Sequence, residues 1–311
     1  MSLPRASSSL IVTAPLASAV AGRAHPATGS AYNYRVLMAK RISTGSFESA
    51  YVFPGGVEEK EDSSTCALFQ GAPGLDQHKV CAVRETFEET GLLACDPAAA
   101  TLDIAAARSA GLSFHELCAK HSFRPLDVKQ IGRWITPRAQ KKRFDTRFYM
   151  LNIGERDEFL VSQLGSSAVQ QSELVCLDWF TPGEVLEANA RSEFPLFPPQ
   201  FCVLKELSRY SCWQDLAAAS AKSFHLSTPE VPIEPVVKRR SDGAVVGLYP
   251  GDRAYPLVNG TAGRLESPSD ADLFCSSDSD PGLHRIEMWP AKSGGFLAGR
   301  LLRTISALPN L

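Results

Sequence analysis

Arg84, Glu85, Glu88 and Glu89 are the residues of this chain whose types and spacing could do chemistry. They lie in the stretch from Val80 to Leu92. Stepping about 100° per residue around a helix brings the three glutamates within an arc of roughly 100°, while Val80, Val83 and Phe87 fall on the opposite side. Carboxylates three and four residues apart repel one another and weaken a helix unless a cation relieves the repulsion. An all-oxygen set with no His or Cys beside it suits a hard divalent cation, Mg²⁺ or Mn²⁺, better than zinc. A solvated acidic helix face has the same composition, so the surrounding residues must decide.

Several elements must position these side chains. Asp76 suits an N-cap and Gly91 a C′ residue for a helix from about Gln77 to Thr90. Upstream, Ser49 to Phe53 reads as a short strand entering Pro54-Gly55-Gly56, where two glycines let the backbone approach a metal or phosphate closely. Glu58 to Asp76 is acidic, then rich in Ser, Thr, Gly and Pro, and reads as a surface excursion between the two halves.

These residues resemble the Nudix box, G-x5-E-x7-R-E-U-x-E-E-x-G-U with U apolar. Gly56 and Asp62 match its first half, and Arg84-Glu85-Thr86-Phe87-Glu88-Glu89-Thr90-Gly91-Leu92 its second. Thr86 departs from the pattern as a polar residue at a U position, and the gap from Asp62 to Arg84 is about fourteen residues longer than the pattern's. Trp134-Ile135-Thr136-Pro137, Arg143 to Phe148, Pro198-Pro199-Gln200-Phe201 and Pro250-Gly251-Asp252 are similar to landmarks of the Nudix motif 19 subfamily, the acyl-coenzyme A diphosphatases. That subfamily shares the long insertion. The shorter coenzyme A signature of other Nudix enzymes is met only loosely, by Arg41, Gly45 and Phe53 to Gly56.

The resemblance implies an α/β (α+β) fold, the Nudix α/β/α sandwich on a mixed sheet, over residues 8–220, with an insertion at about 63–76. A β-rich C-terminal extension over 221–311 would pack on it. It implies Mg²⁺- or Mn²⁺-dependent hydrolysis of a nucleoside diphosphate linkage. The metal ligands would be Glu85, Glu88, Glu89 and the Gly55 or Gly56 carbonyl. Arg84 would orient Glu85 and fix the helix to its preceding loop. The general base stays open between Glu85 and Glu173, the latter at the start of a strand. With coenzyme A or acyl-coenzyme A as small-molecule substrate, the 3′-phosphate needs its own cation, for which Arg41, Lys142 and Arg143 are the candidates. A Nudix enzyme acting on NADH, ADP-ribose or capped RNA is the alternative, and a non-catalytic binding module is a third reading.

The rest of the chain bounds these expectations. Its 311 residues are 44% hydrophobic and 21% charged with a net charge of -2. That composition favours a soluble globular protein with no global attraction to nucleic acid or anionic membrane. Eight scattered cysteines form no Cys-Xaa-Xaa-Cys pair, which argues against zinc and for reduced thiols in an intracellular setting. No run approaches the roughly 18 apolar residues of a membrane span. Met1 to Phe47 has Arg5, Arg23, Arg35, Lys40 and Arg41 but no acid, a composition that resembles a mitochondrial presequence. Ser9 to Ala14 reads equally as the first strand, and the strand is favoured because its loss would leave the sheet without an edge. The terminal Pro-Asn-Leu does not match a Ser-Lys-Leu peroxisomal address.

Further strands are expected at 34–41, 134–137, 148–151 and 173–180, and helices over 98–124, from Pro182 and over 200–210. A hairpin is expected over 236–248. The basic stretch from Lys141 to Arg147 reads either as a solvated loop or as an anion site. His115 and His121 are expected to hold ordinary surface or core roles.

Overall fold

The computed structural model describes residues 3–16, 32–41, 50–69, 74–95, 111–154, 174–222, 231–255, 273, 283–290 and 296–303. A run of buried residues, Ser7 to Ala14, explains why the first strand is central: Leu10, Ile11 and Val12 are fully buried. This strand, β1 (Arg5–Pro15), begins four residues earlier than its apolar pattern suggests. Its residues 5–13 pair parallel with β6 (Phe144–Asn152). On its other edge it splays. Residues 13–15 pair with β2 (Tyr34–Arg41), whereas residues 7–9 pair with β4 (Gly55–Val57). The short β3 (Tyr51–Val52) pairs with β2 and leads into that opening. Adding β5 (Lys129–Ile135) beside β6 and β7 (Leu174–Phe180) beside β2 completes a mixed seven-stranded sheet.

Alternation along β1 sends Leu10 and Val12 to one face and Ile11 to the other. The first face packs Val80, Val83 and Phe87 of α2 (Gln77–Thr90). The second packs Val185 of α4 (Pro182–Ala190) and Phe201, Val203 and Leu204 of α5 (Pro198–Leu207). Helix α1 (Lys60–Leu68), helix α3 (Phe114–His121) and helix α6 (Trp213–Lys222) complete the helical layers. The expected sandwich is therefore present. Its sides are joined by the sheet that the splay of β1 opens.

Two expectations change. Residues 58–76 are not a plain surface excursion: α1 starts at a capping box between Glu59 and Asp62, and Asp62 and Thr65 are buried. Of the helix expected over 98–124, α3 is the described helical part, starting at a Ser113–Glu116 capping box; residues 98–110 lie outside the described residues. His115 accepts or donates one hydrogen bond with Thr65 at 2.8 Å, and His121 stacks on Phe123, both structural roles.

The hairpin expected at 236–248 forms β8 (Val236–Arg239) and β9 (Val245–Leu248), and β10 (His284–Pro290) and β11 (Phe296–Arg303) extend it to four strands. Pro250-Gly251-Asp252 has a structural explanation: the buried Asp252 carboxylate accepts from His284 N and from both Nε and Nη2 of Arg285. Ile233, Val245, Tyr249, Ile286 and Met288 share a hydrophobic cluster with Trp134 and Phe148 of the large sheet. Helix α6 runs through the boundary expected at 220.

Candidate active site

Helix α2 forms where its caps direct. The Asp76 carboxylate accepts from the backbone N–H of His78 and Lys79, and Gly91 closes the helix at φ 80° with its N–H on the Phe87 carbonyl. Thr86, the polar residue at an apolar position of the box, is fully buried. Its hydroxyl donates to the Ala82 carbonyl at 2.8 Å, so it carries its own polar partner into the core and leaves a methyl group to pack.

Arg84 is buried at the centre of the site. Nε and Nη2 grip the Asp62 carboxylate at 2.7 and 3.1 Å, and Nη2 also donates to the Val57 carbonyl at 3.1 Å. Nη1 lies 3.0 Å from Glu85 Oε1 and 2.9 Å from Glu88 Oε2. One guanidinium thus ties α2 to β4, to α1 and to two of the three glutamates. The expected tie of the helix to its preceding loop is present, but Asp62 and Val57 provide it, and Glu88 shares with Glu85 the contact expected for Glu85 alone.

The glycines explain themselves by what a Cβ would meet. At Gly56 it would lie 2.4 Å from the Glu85 carboxylate, and at Gly55 it would lie 2.4 Å from the Ser8 carbonyl oxygen and 2.7 Å from Ser9 Cα. The Gly55 N–H donates to Glu89 Oε2 at 3.0 Å. Two different failures follow. Gly55→Ala collides with a backbone and should lower the melting temperature. Gly56→Ala displaces the movable Glu85 carboxylate and should leave the fold intact while cutting turnover about a hundredfold, the scale of an ångström's misplacement. Thermal melts beside initial rates separate the two.

Burial pushes the Glu85 carboxyl up to about 7 against the pull of Arg84, with Glu88 adding repulsion. Glu88 is raised for the same leading reason, again opposed by Arg84. A half-protonated carboxyl near neutral pH is what a general base needs. Cys81 on the same helix is buried with Sγ 3.8 Å from the Gly56 carbonyl oxygen, and burial raises its thiol.

The donor chemistry fits a hard cation: three carboxylates from one helix, with glycine backbone directly beside them. Among the described residues, however, no three carboxylate, thiol or imidazole groups converge as a finished ion cage. The reason is visible in the contacts, since Arg84 holds Glu85 and Glu88 and the Gly55 N–H holds Glu89.

Among the described residues, none of the other expected side chains is found at the glutamates. Glu173 lies outside the described residues. Arg41 ends β2 opposite Leu174, and its side chain is outside the description. Lys142 is exposed in the β5–β6 turn. Arg143 is not at the glutamates: its Nε donates to the Thr136 carbonyl and its Nη2 to Glu234 Oε1 at 2.7 Å. Sequence reasoning assigned no role to Asp62 beyond its place in the box, although its position five residues after Gly56 marked it. Nothing in the sequence marked Glu234.

The splayed mixed sheet, the glycine strand facing a three-glutamate helix and the buried arginine between them define a class, and the chain is similar to the Nudix hydrolases, one of which shares its fold. The family model described as the NUDT19 Nudix domain matches residues 69–209. The acyl-coenzyme A diphosphatase NUDT19 of Gallus gallus is 26% identical over 312 residues, covering 78% of each chain. The Homo sapiens protein of the same name is 27% identical over 297 residues, covering 75% of this chain and 74% of its own. A putative nudix hydrolase 7 of Caenorhabditis elegans is 29% identical over 237 residues, covering 71% of this chain and 70% of its own. A solved NUDIX hydrolase from Alicyclobacillus acidocaldarius shares the fold at a TM-score of 0.51 and 22% identity, over 73% of this chain and all of that one. The matched family stretch begins after Gly55, Gly56 and Asp62, so it is the geometry that ties those residues to the site.

No helix of the described residues is long and apolar enough to cross a membrane.

Proposed function

We propose that this chain is a diphosphatase that hydrolyses coenzyme A or its acyl esters to adenosine 3′,5′-bisphosphate and 4′-phosphopantetheine or its acyl form. The observation that supports it is the packing of the Glu85 carboxylate between Gly56 and Arg84, on a chain similar along most of its length to acyl-coenzyme A diphosphatases. Mg²⁺ or Mn²⁺ held by Glu85, Glu88, Glu89 and the Gly55 or Gly56 carbonyl would neutralise diphosphate oxygens and acidify a bound water.

The chain's own groups do the rest. Glu85 accepts the proton of the attacking water as its oxygen bonds to phosphorus, and the bridging P–O bond breaks on the opposite side. Glu173, just before β7, is the second candidate for that proton. Arg84 holds the glutamates in register, and its grip on Asp62 keeps the guanidinium from following the substrate.

A pH dependence follows from Glu85. Between its ordinary value and about 7, the folded chain holds a proton there that the unfolded chain has released, so this group makes stability fall as pH rises through that window. A divalent cation binds the deprotonated form. The melting-temperature gain from Mg²⁺ should therefore be larger at pH 8 than at pH 5.5, read by scanning fluorimetry with and without chelator. An equal gain at both would contradict it. The substrate reading is tested by comparing kcat/KM on coenzyme A and 3′-dephospho-coenzyme A. Coenzyme A should be preferred, and indifference to the 3′-phosphate would overturn the assignment.

A further inference from the structure

The turn between β5 and β6 packs four cations, Arg138, Lys141, Lys142 and Arg143, into six residues. A carboxylate 91 residues further along the chain reaches into it: Glu234 accepts from Arg143 Nη2 at 2.7 Å and from Arg138 Nε at 3.1 Å and Nη2 at 3.4 Å. Two guanidiniums converging on one small anion are the geometry by which proteins bind phosphate, and here a side chain of the protein fills it.

The backbone holding that carboxylate is fixed. Ile233 N–H donates to the Arg133 carbonyl, Ile135 N–H donates to the Ile233 carbonyl, and Tyr255 Oη donates to the Glu234 carbonyl. Only the Glu234 side chain has to swing for the fork to open, and it is 22% exposed beside an Arg138 that is 65% exposed. The Arg138 half of the contact is exposed and weak, whereas Arg143 is 9% exposed and is the firmer hold on Glu234. A phosphomonoester brings about -1.5 to -2 charges and three acceptor oxygens, so it can displace a carboxylate from two arginines.

Position fits a distal part of a long substrate. The Arg143 carbonyl accepts from Arg5 N–H, and Arg5 precedes by three residues the Ser8 that opposes Gly56, about 10 Å along the strand at ~3.3 Å per residue.

We propose that Arg138 and Arg143 form a phosphomonoester subsite gated by the Glu234 side chain, and, resting on the coenzyme A reading above, that the group it takes is the ribose 3′-phosphate. The gate lowers apparent affinity by the fraction of molecules in which it stands open.

Calorimetric titration of the full chain with adenosine 3′,5′-bisphosphate, with 5′-AMP and with inorganic phosphate tests this. Glu234→Gln should tighten the bisphosphate and inorganic phosphate by about tenfold, the factor for a fork open in about a tenth of molecules, and leave 5′-AMP unchanged. Arg143→Met should weaken the bisphosphate about tenfold and remove its advantage over 5′-AMP. Glu234→Asp, which withdraws the carboxylate by one methylene, should fall between wild type and Gln and serves if the Gln variant does not fold. Unchanged bisphosphate affinity in Glu234→Gln, with or without a loss of thermal stability, would show a structural latch and overturn the gate. Equal tightening of bisphosphate and 5′-AMP would overturn the 3′-phosphate assignment. Coenzyme A turnover run on the same wild-type sample separates the two readings. No hydrolysis alongside a tenfold effect of Glu234→Gln on inorganic phosphate would sink the substrate and support the gate.

Discussion

Glu85→Gln should lower kcat by about a hundredfold to ten-thousandfold, the range for loss of a positioned proton acceptor, at saturating Mg²⁺ and coenzyme A. The fold should survive the change. Glu85 is a carboxylate that burial disfavours in its charged form, so the neutral amide removes an unfavourable charge at pH 8 while keeping the shape beside Gly56. The melting temperature of the metal-free variant at pH 8 should therefore equal or exceed that of the wild type. A variant that loses activity and melts several degrees lower would place Glu85 among the structural contacts of Arg84 instead. If Glu173 takes the proton, Glu85→Gln still loses turnover through the metal set, and the distinction falls to Glu173→Gln. That variant should keep its Mg²⁺-induced stabilisation while losing activity.

Asp62→Ala should have the largest effect on stability. The two side chains of the Asp62–Arg84 pair are 1% and 4% exposed, and deletion of Asp62 leaves the buried Nε and Nη2 of Arg84 without their carboxylate. Such deletions cost about 3–5 kcal/mol. Arg84 would retain Glu85 and Glu88 as its remaining carboxylate partners and would draw closer to them, so activity should fall as well. Urea unfolding of the metal-free protein measures the first effect, and initial rates below the unfolding range measure the second. A loss under about 1 kcal/mol would mean that the pair is solvated and worth only what a surface ion pair is worth. Arg84→Lys is no substitute, because a single ammonium cannot hold Asp62 with two parallel bonds and reach Glu85, Glu88 and the Val57 carbonyl together.

What was legible in the sequence was local. Asp76 and Gly91 cap α2 with groups inside its own first and last turns, and the spacing of the glutamates needs only the helical period. Thr181 likewise caps α4 with Glu184 in reach. What was not legible depends on partners far away in the chain. Arg5 to Ser8 has no strand pattern, and it is extended because β6, some 139 residues on, and β4 supply its hydrogen bonds. Helix α1 has little apolar periodicity, and it is held by a capping box, by Asp62 on Arg84 and by Thr65 on His115. Arg143 looked like a cation awaiting an anion from solution, and the anion found beside it comes from Glu234. The glutamates, arginine and glycines of the site share one short motif and were found together; the substrate contacts, spread over turns joined only by the fold, were not.

The central claim is tested most directly by mass spectrometry of the products formed from coenzyme A in the presence of Mg²⁺ and ¹⁸O-labelled water. Adenosine 3′,5′-bisphosphate and 4′-phosphopantetheine should appear in equal amounts, with one labelled oxygen on one of the two phosphates and none formed by Glu85→Gln. Intact coenzyme A after prolonged incubation, with NADH or ADP-ribose cleaved instead under the same conditions, would contradict the account.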